Sequence, residues 1–176
     1  MFPSIKKFLF FIVFFAAIDQ ITKLFVIYYF EIDVDRLNST VLFHINDYLN
    51  FYFIWNKGFA FGLFQNDINL VNNIYMILIL LVIVILFIYA TTINKNIYYF
   101  SFSLIIGGAI GNLIDRFSYN AVLDFIDLHY NNFHWYVFNI ADITITVGCI
   151  LTIILELFIK RKENQNQNQN ENENEK

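Results

Sequence analysis

The chain has 176 residues, of which 58% are hydrophobic, 20% aromatic and only 15% charged, a balance that excludes an ordinary soluble domain and points to a bilayer as solvent. Its net charge is -4, but the stretch from Glu163 to Lys176 holds four Glu and one Lys, so the body is nearly neutral and nothing in it suits nucleic acid. The length allows a single domain, and the lone Cys149 excludes an intrachain disulfide.

The first apolar run, residues 8–29, is long enough to cross about 30 Å of hydrocarbon. Lys6 and Lys7 precede it. "KKFLFFIVFFAA" also has the basic and apolar regions of a signal peptide, with Ala16 and Ala17 as small residues near a cleavage position. Because the run resumes after Lys23 with "LFVIYYF", a retained helix is expected. Asp19, Gln20 and Lys23 lie inside it, and Asp19 with Lys23, four apart, share a helix face.

Residues 30–69 follow. "STVLFHI" and "NFYFIW" are β-branched and aromatic runs around "NDYL", which predicts a strand pair with a turn. "NKGFAFGLF" then reads as a glycine-punctuated loop. The second span, residues 70–93, carries no charge and is expected to be mostly scaffold. Lys95 sits in the short link to the third span, residues 97–116, which ends in "GGAIGNLIDR". Asp115 and Arg116 stand three and four residues after Asn112, and Gly108 four before it, all on one face. Gly107 and Gly111 have the spacing that lets helices approach closely.

Residues 117–136 form a connection of about 20 residues, a length that is often functional, and contain Asp124 and Asp127. The fourth span, residues 137–159, carries Asn139 and Asp142 near its start and Cys149 in an apolar run, where a buried packing thiol is expected. Lys160, Arg161 and Lys162 follow it. Residues 163–176 are a polar, low-complexity tail, predicted disordered and cytoplasmic. With four spans every basic cluster falls on one side, so both termini are expected to be cytoplasmic and residues 30–69 and 117–136 to face outward.

Asp142 needs explaining. A central acid costs about 2.5–3.5 kcal/mol in a membrane helix, and no basic residue occurs in its span before Lys160. Such an acid avoids the cost by sharing a proton with a second acid. Asp115 ends its span at the same side, and Asp124 or Asp127 can fold back from the connecting loop. In a strand those two point to opposite faces, in a helix to one face, so the residues alone do not choose between them. Two carboxylates around one water are what aspartic peptide hydrolysis requires, one as base and one as acid. No metal or other cofactor is needed, and His44, His129 and His134 show no ligand spacing on a common element. A proton or ion relay through Asp19, Asp115 and Asp142 is the competing reading. Against it, Asp115, Asp124 and Asp142 gather at one side instead of lining a path.

Five ordered blocks, "DQITK", "NKGFAFG", "GGAIGNLIDR", "VLDF" and "FNIAD", together resemble the lipoprotein signal peptidase family, also called signal peptidase II. The resemblance runs from about Ala16 to Ile159. It implies four transmembrane helices, a small outer β-hairpin or sheet, and an outer loop over the active site. By the same resemblance, residues 1–162 form one integral-membrane aspartic endopeptidase of the bacterial inner membrane. Its substrate is then a diacylglyceryl-modified prolipoprotein, cut just before the lipidated cysteine, with membrane lipids around it and no oligomer required. The family's catalytic pair falls on Asp124 and Asp142. Asn56, Gly108, Asn112, Asp115, Arg116, Asn139 and Ala141 match positions around the family's site, while Asp19 and Lys23 match a block where a structural polar pair is expected.

Overall fold

A computed structural model describes residues 2–34, 40–58, 68–93, 96–131 and 133–174. Four helices dominate: α1 (Phe2–Tyr29), α2 (Ile68–Ile93), α3 (Tyr99–Tyr119) and α4 (Ile140–Asn174). Each contains a stretch long and apolar enough to cross a membrane: Ile5–Tyr29, Asn69–Thr92, Asn96–Tyr119 and Ile140–Lys162. Lys95 and most of "NKGFAFGLF" lie outside the described residues.

The helix α3 is central and packs against α1, α2 and α4. Glycine makes this possible. A Cβ on Gly108 would meet the Ala141 carbonyl at 2.6 Å, and one on Gly111 would run into the Asp19 carboxylate. Gly107 and Gly111 thus face α1 and Gly108 faces α4, so the small-residue spacing serves packing within the chain. The outward faces are apolar too, with Ile77, Leu80, Leu81 and Val84 of α2 exposed, as a lipid solvent demands.

Cys149 is exposed on this outer surface and not buried. Hydropathy cannot separate the two positions, because lipid and protein interior are equally apolar. The helix α4 also continues to Asn174, through residues whose composition suggests a disordered tail. Extending an existing helix costs far less than nucleating one, and Glu and Gln are good helix formers.

The β element is larger than a hairpin. β1 (Val41–Asn46) and β2 (Leu49–Asn56) form the expected pair, with Asn46 Oδ1 accepting from the amides of Tyr48 and Leu49 in the turn. β3 (Val122–Tyr130) and β4 (Phe133–His134) extend it into an antiparallel sheet of order β1-β2-β3-β4. The connection expected to be a loop is therefore largely strand. Its start is set by Asn120, which adopts the left-handed conformation (φ 55°) and donates its amide to the Arg116 carbonyl, ending α3.

Two apolar clusters bracket the molecule. One joins Phe8, Ile12, Phe102 and Ile106 near the start of α1; the other joins Val26, Phe53, Trp55, Leu123 and Phe125 under the sheet. Between them on α1 and α3 lies a buried polar band, and the candidate site is built on it.

Candidate active site

Register brings the two acids together. Asp124 stands on β3 opposite Ile54 of β2, and beyond it Ile126 pairs with Phe138, whose amide and carbonyl bond to β3 at 2.9–3.1 Å. Phe138 is the residue before Asn139, so this bridge pins the start of α4 beside Asp124.

The local sequence of α4 explains why Asp142 is tolerated. Asn139 precedes the helix and its Oδ1 accepts the Asp142 amide at 3.0 Å, while Asp142 Oδ2 accepts the Asn139 amide at 3.2 Å. This is a reciprocal capping box, with the acid in the first helical turn, where the helix dipole favours negative charge. The span starts at Ile140, three residues later than hydropathy suggests. Asp142 is consequently at a helix end, not several residues deep.

Three asparagines hold the two acids. Asn139 Nδ2 donates to Asp124 Oδ1 at 2.7 Å and to Asn112 Oδ1 at 3.1 Å. Asn112 Oδ1 also accepts from Lys23 Nζ at 3.0 Å, which fixes the amide's orientation and turns its Nδ2 toward Asp142 Oδ1, again at 3.0 Å. Asn56 Nδ2 donates to Asp124 Oδ2 at 3.0 Å. Every carboxylate oxygen of the two acids thus has one donor and retains acceptor capacity for a water or a substrate. Both acids line one cleft of about 470 Å³ with Asn56, Tyr136, Phe138 and Thr146.

Asp124 is 3% exposed. Burial, followed by the nearby charge of Asp142, raises its pKa to about 7, against the lowering effect of hydrogen bonds from Asn56 and Asn139.

Behind the two acids lies the polar band. Lys23 Nζ is 2.8 Å from Asp19 Oδ2 and 2.8 Å from Asp115 Oδ2, with all three side chains at 2% exposure or less. The expected Asp19–Lys23 pair is therefore a triad. Gln20 donates to Asp115 Oδ1 at 2.8 Å, Asp115 Oδ2 accepts the Leu123 amide, and Asp19 Oδ1 accepts the Ala141 amide at 2.8 Å. The triad thereby ties α1 and α3 to the first residues of β3 and α4, the two elements that carry the acids.

Arg116 takes a different course from its neighbour. Its guanidinium lies 4.6 Å over the Tyr75 ring and donates weakly to Asn72 at 3.4 Å, because consecutive helix residues point about 100° apart. Asn72 is buried and also donates to the Arg116 carbonyl and to Asn120. The plain second span thus supplies Asn72 and Tyr75, which sequence reasoning missed; an Asn in an otherwise apolar run was the available signal.

Asp127 points elsewhere. It accepts from Asn50 Nδ2 at 2.9 Å, and His134 Nδ1 lies 3.0 Å from its Oδ2. Being an odd number of residues from Asp124 on one strand, it faces the opposite side. His44, His129 and His134 lie near it, gathered by strand pairing and not by spacing along one element.

Fold and site together define a multi-pass membrane protein with two converging acids at the sheet end of a four-helix bundle. The family model described as signal peptidase (SPase) II matches residues 11–158. A lipoprotein signal peptidase of Pelagibacter ubique is 44% identical over 145 residues, covering 82% of this chain and 84% of that protein. One from Clostridium tetani is 42% identical over 138 residues, covering 78% and 83%. Two solved bacterial membrane enzymes superpose with TM-scores of 0.67 and 0.70 at 27% and 28% identity, covering 87% of this chain and 88% and 94% of theirs. The chain belongs to the signal peptidase II family, and with it to the peptidases of bacterial membranes.

Proposed function

We propose that the chain is an aspartic endopeptidase that cuts diacylglyceryl-modified prolipoproteins just before the lipidated cysteine. The observation that carries this reading is Asn139, whose side chain bonds Asp124 and whose backbone bonds Asp142. A single residue thereby holds two acids at one cleft.

In this mechanism the pair shares one proton, and the burial that raises the pKa of Asp124 to about 7 favours that carboxyl as its holder. Asp142 takes a proton from a water as its oxygen attacks the scissile carbonyl carbon, and Asp124 donates its proton to the carbonyl oxygen. Collapse of the tetrahedral intermediate breaks the C–N bond: the proton on Asp142 passes to the leaving amine, and a hydroxyl proton of the intermediate returns to Asp124 as the carbonyl re-forms. Asn56 and Asn112 hold the carboxylates in place while charge moves between them.

The membrane suits this substrate. Acyl chains on the cysteine keep the scissile bond near the bilayer surface, and the acids sit at helix ends beside the sheet. With both termini cytoplasmic, that end faces outward, where exported prolipoproteins arrive. One chain supplies both acids, so no oligomer is required.

The test is cleavage of a diacylglyceryl-modified prolipoprotein by purified protein in detergent, read as a mass shift. Wild type is expected to cleave; Asp124→Asn and Asp142→Asn are expected to insert and fold but not cleave. Cleavage at wild-type rate by either variant overturns the dyad.

A further inference from the structure

We propose that the sheet carries a divalent-cation site on the face turned away from the two catalytic acids, with Asp127, His129 and His134 as ligands and zinc as the ion that fits. This inference stands apart from the peptidase reading, since none of the three residues touches Asp124 or Asp142.

The strands build the site. Asp127 and His129 are two apart on β3 and share a face, and His134 of β4 is the cross-strand partner of His129. One ligand atom from each of the three lies within 4.8 Å of the others. His134 Nδ1 is already 3.1 and 3.0 Å from the two Asp127 oxygens. That matches the edge of about 3.3 Å expected between ligand atoms around zinc, with bonds near 2.0–2.1 Å. The His129 and His134 rings stack at 5.1 Å and 17°, which keeps the two imidazoles side by side next to the Asp127 carboxylate.

A simple His–Asp hydrogen bond would need neither His129 nor the supports around it. Asn50, itself 4% exposed, donates to Asp127 Oδ2 at 2.9 Å and lies 3.2 Å from His129 Nδ1. His44 Nδ1 in turn stands 3.0 Å from Asn50 Oδ1. Asn50 is the cross-strand partner of both Asp127 and His44, so a row across β1, β2 and β3 orients the carboxylate from behind. Such outer hydrogen bonds accompany protein metal ligands generally. His129 also borders a polar cleft of about 380 Å³ that it lines with His44, Asp47 and Asn131.

Donor chemistry selects the ion. Two imidazoles and one carboxylate suit zinc or a neighbouring transition metal, whereas calcium and magnesium take shells of oxygen. Bound there, the ion would staple β4 to β3, the strand that carries Asp124 on its other side.

The experiment uses the full chain in detergent, free of any polyhistidine tag, titrated with Zn2+ by calorimetry, with Co2+ as a spectroscopic probe. Wild type is expected to bind one ion per chain, to show the visible ligand-field bands of a tetrahedral Co2+ site, and to unfold at higher temperature with Zn2+ present. The His129→Ala/His134→Ala variant is expected to bind at least about tenfold more weakly and to lose the Zn2+-dependent shift, while its far-UV circular dichroism matches wild type. Absence of saturable binding in wild type, or equal binding by the double variant, overturns the site. Should the double variant fail to fold, the wild-type stoichiometry and Co2+ spectrum decide alone: a non-tetrahedral or absent signal overturns it.

Discussion

Asp124 and Asp127 stand three residues apart on one strand, both buried, and meet different partners because the strand turns them to opposite sides. Asp124 meets Asn139 and Asn56 beside the start of α4, where a second acid waits. Asp127 meets Asn50 and His134 among imidazoles. Burial alone therefore says little about an acid's role. What separates the two is the neighbouring partner: another acid beside Asp124, an imidazole beside Asp127.

The largest effect expected is from Asp124→Asn or Asp142→Asn, each lowering the rate of prolipoprotein cleavage by about 10²–10⁴-fold or more. Asp127→Asn, assayed beside them, is expected to stay within about tenfold of wild type. A reversal of that order would break the comparison between the two faces.

Lys23→Met comes next, on stability. It leaves Asp19 and Asp115 buried without their cation, and losing one partner of a buried ionic group costs about 3–5 kcal/mol. Thermal unfolding in detergent reads this directly, and an unchanged unfolding temperature would show that the triad does not hold the two ends of the site together.

Asn139→Ala removes a helix cap, worth about 1 kcal/mol, and one hydrogen bond to the Asp124 carboxylate. That bond favours the ionised acid, so its loss moves the Asp124 pKa further up. In wild type, cleavage is expected to fall as pH rises through about 7, when the shared proton leaves Asp124. In Asn139→Ala this falling limb shifts to higher pH, with a reduced maximum rate. A limb that does not move would place the shared proton elsewhere.

A further effect is on stability against pH. With its pKa raised from 3.8 to about 7, folded Asp124 holds a proton that the unfolded chain has already released between those values. Stability therefore declines as pH rises through that window and levels off above it. Asp124→Asn removes this decline, so its unfolding temperature relative to wild type is expected to be higher at pH 8 than at pH 4.

Much of this was legible in the residues. Length and hydropathy give four membrane helices, since a bilayer fixes about 20 apolar residues per crossing. The Asp19–Lys23 face follows from helical spacing, as does the packing role of Gly107 and Gly111, whereas the contact of Gly108 with α4 appears only in the structure. Asp124 was separable from Asp127 by family resemblance but not by the residues themselves, because the separation matters only once the segment is known to be a strand. β3 was hidden because residues 117–136 mix acids, aromatics and asparagines without the alternation of an exposed strand: Val122 to Phe125 are all buried.

The sequence by itself determined the solvent, the number of crossings and the polar residues that must find partners inside the bundle, because each is a local cost of placing a side chain in hydrocarbon. Only tertiary structure decided the partners. Strand register set Asp124 beside Asn139 and His134 beside Asp127, and helix packing at glycine brought Lys23 to Asp115. Pairing across such distances along the chain depends on the relative placement of whole elements, which local spacing does not encode.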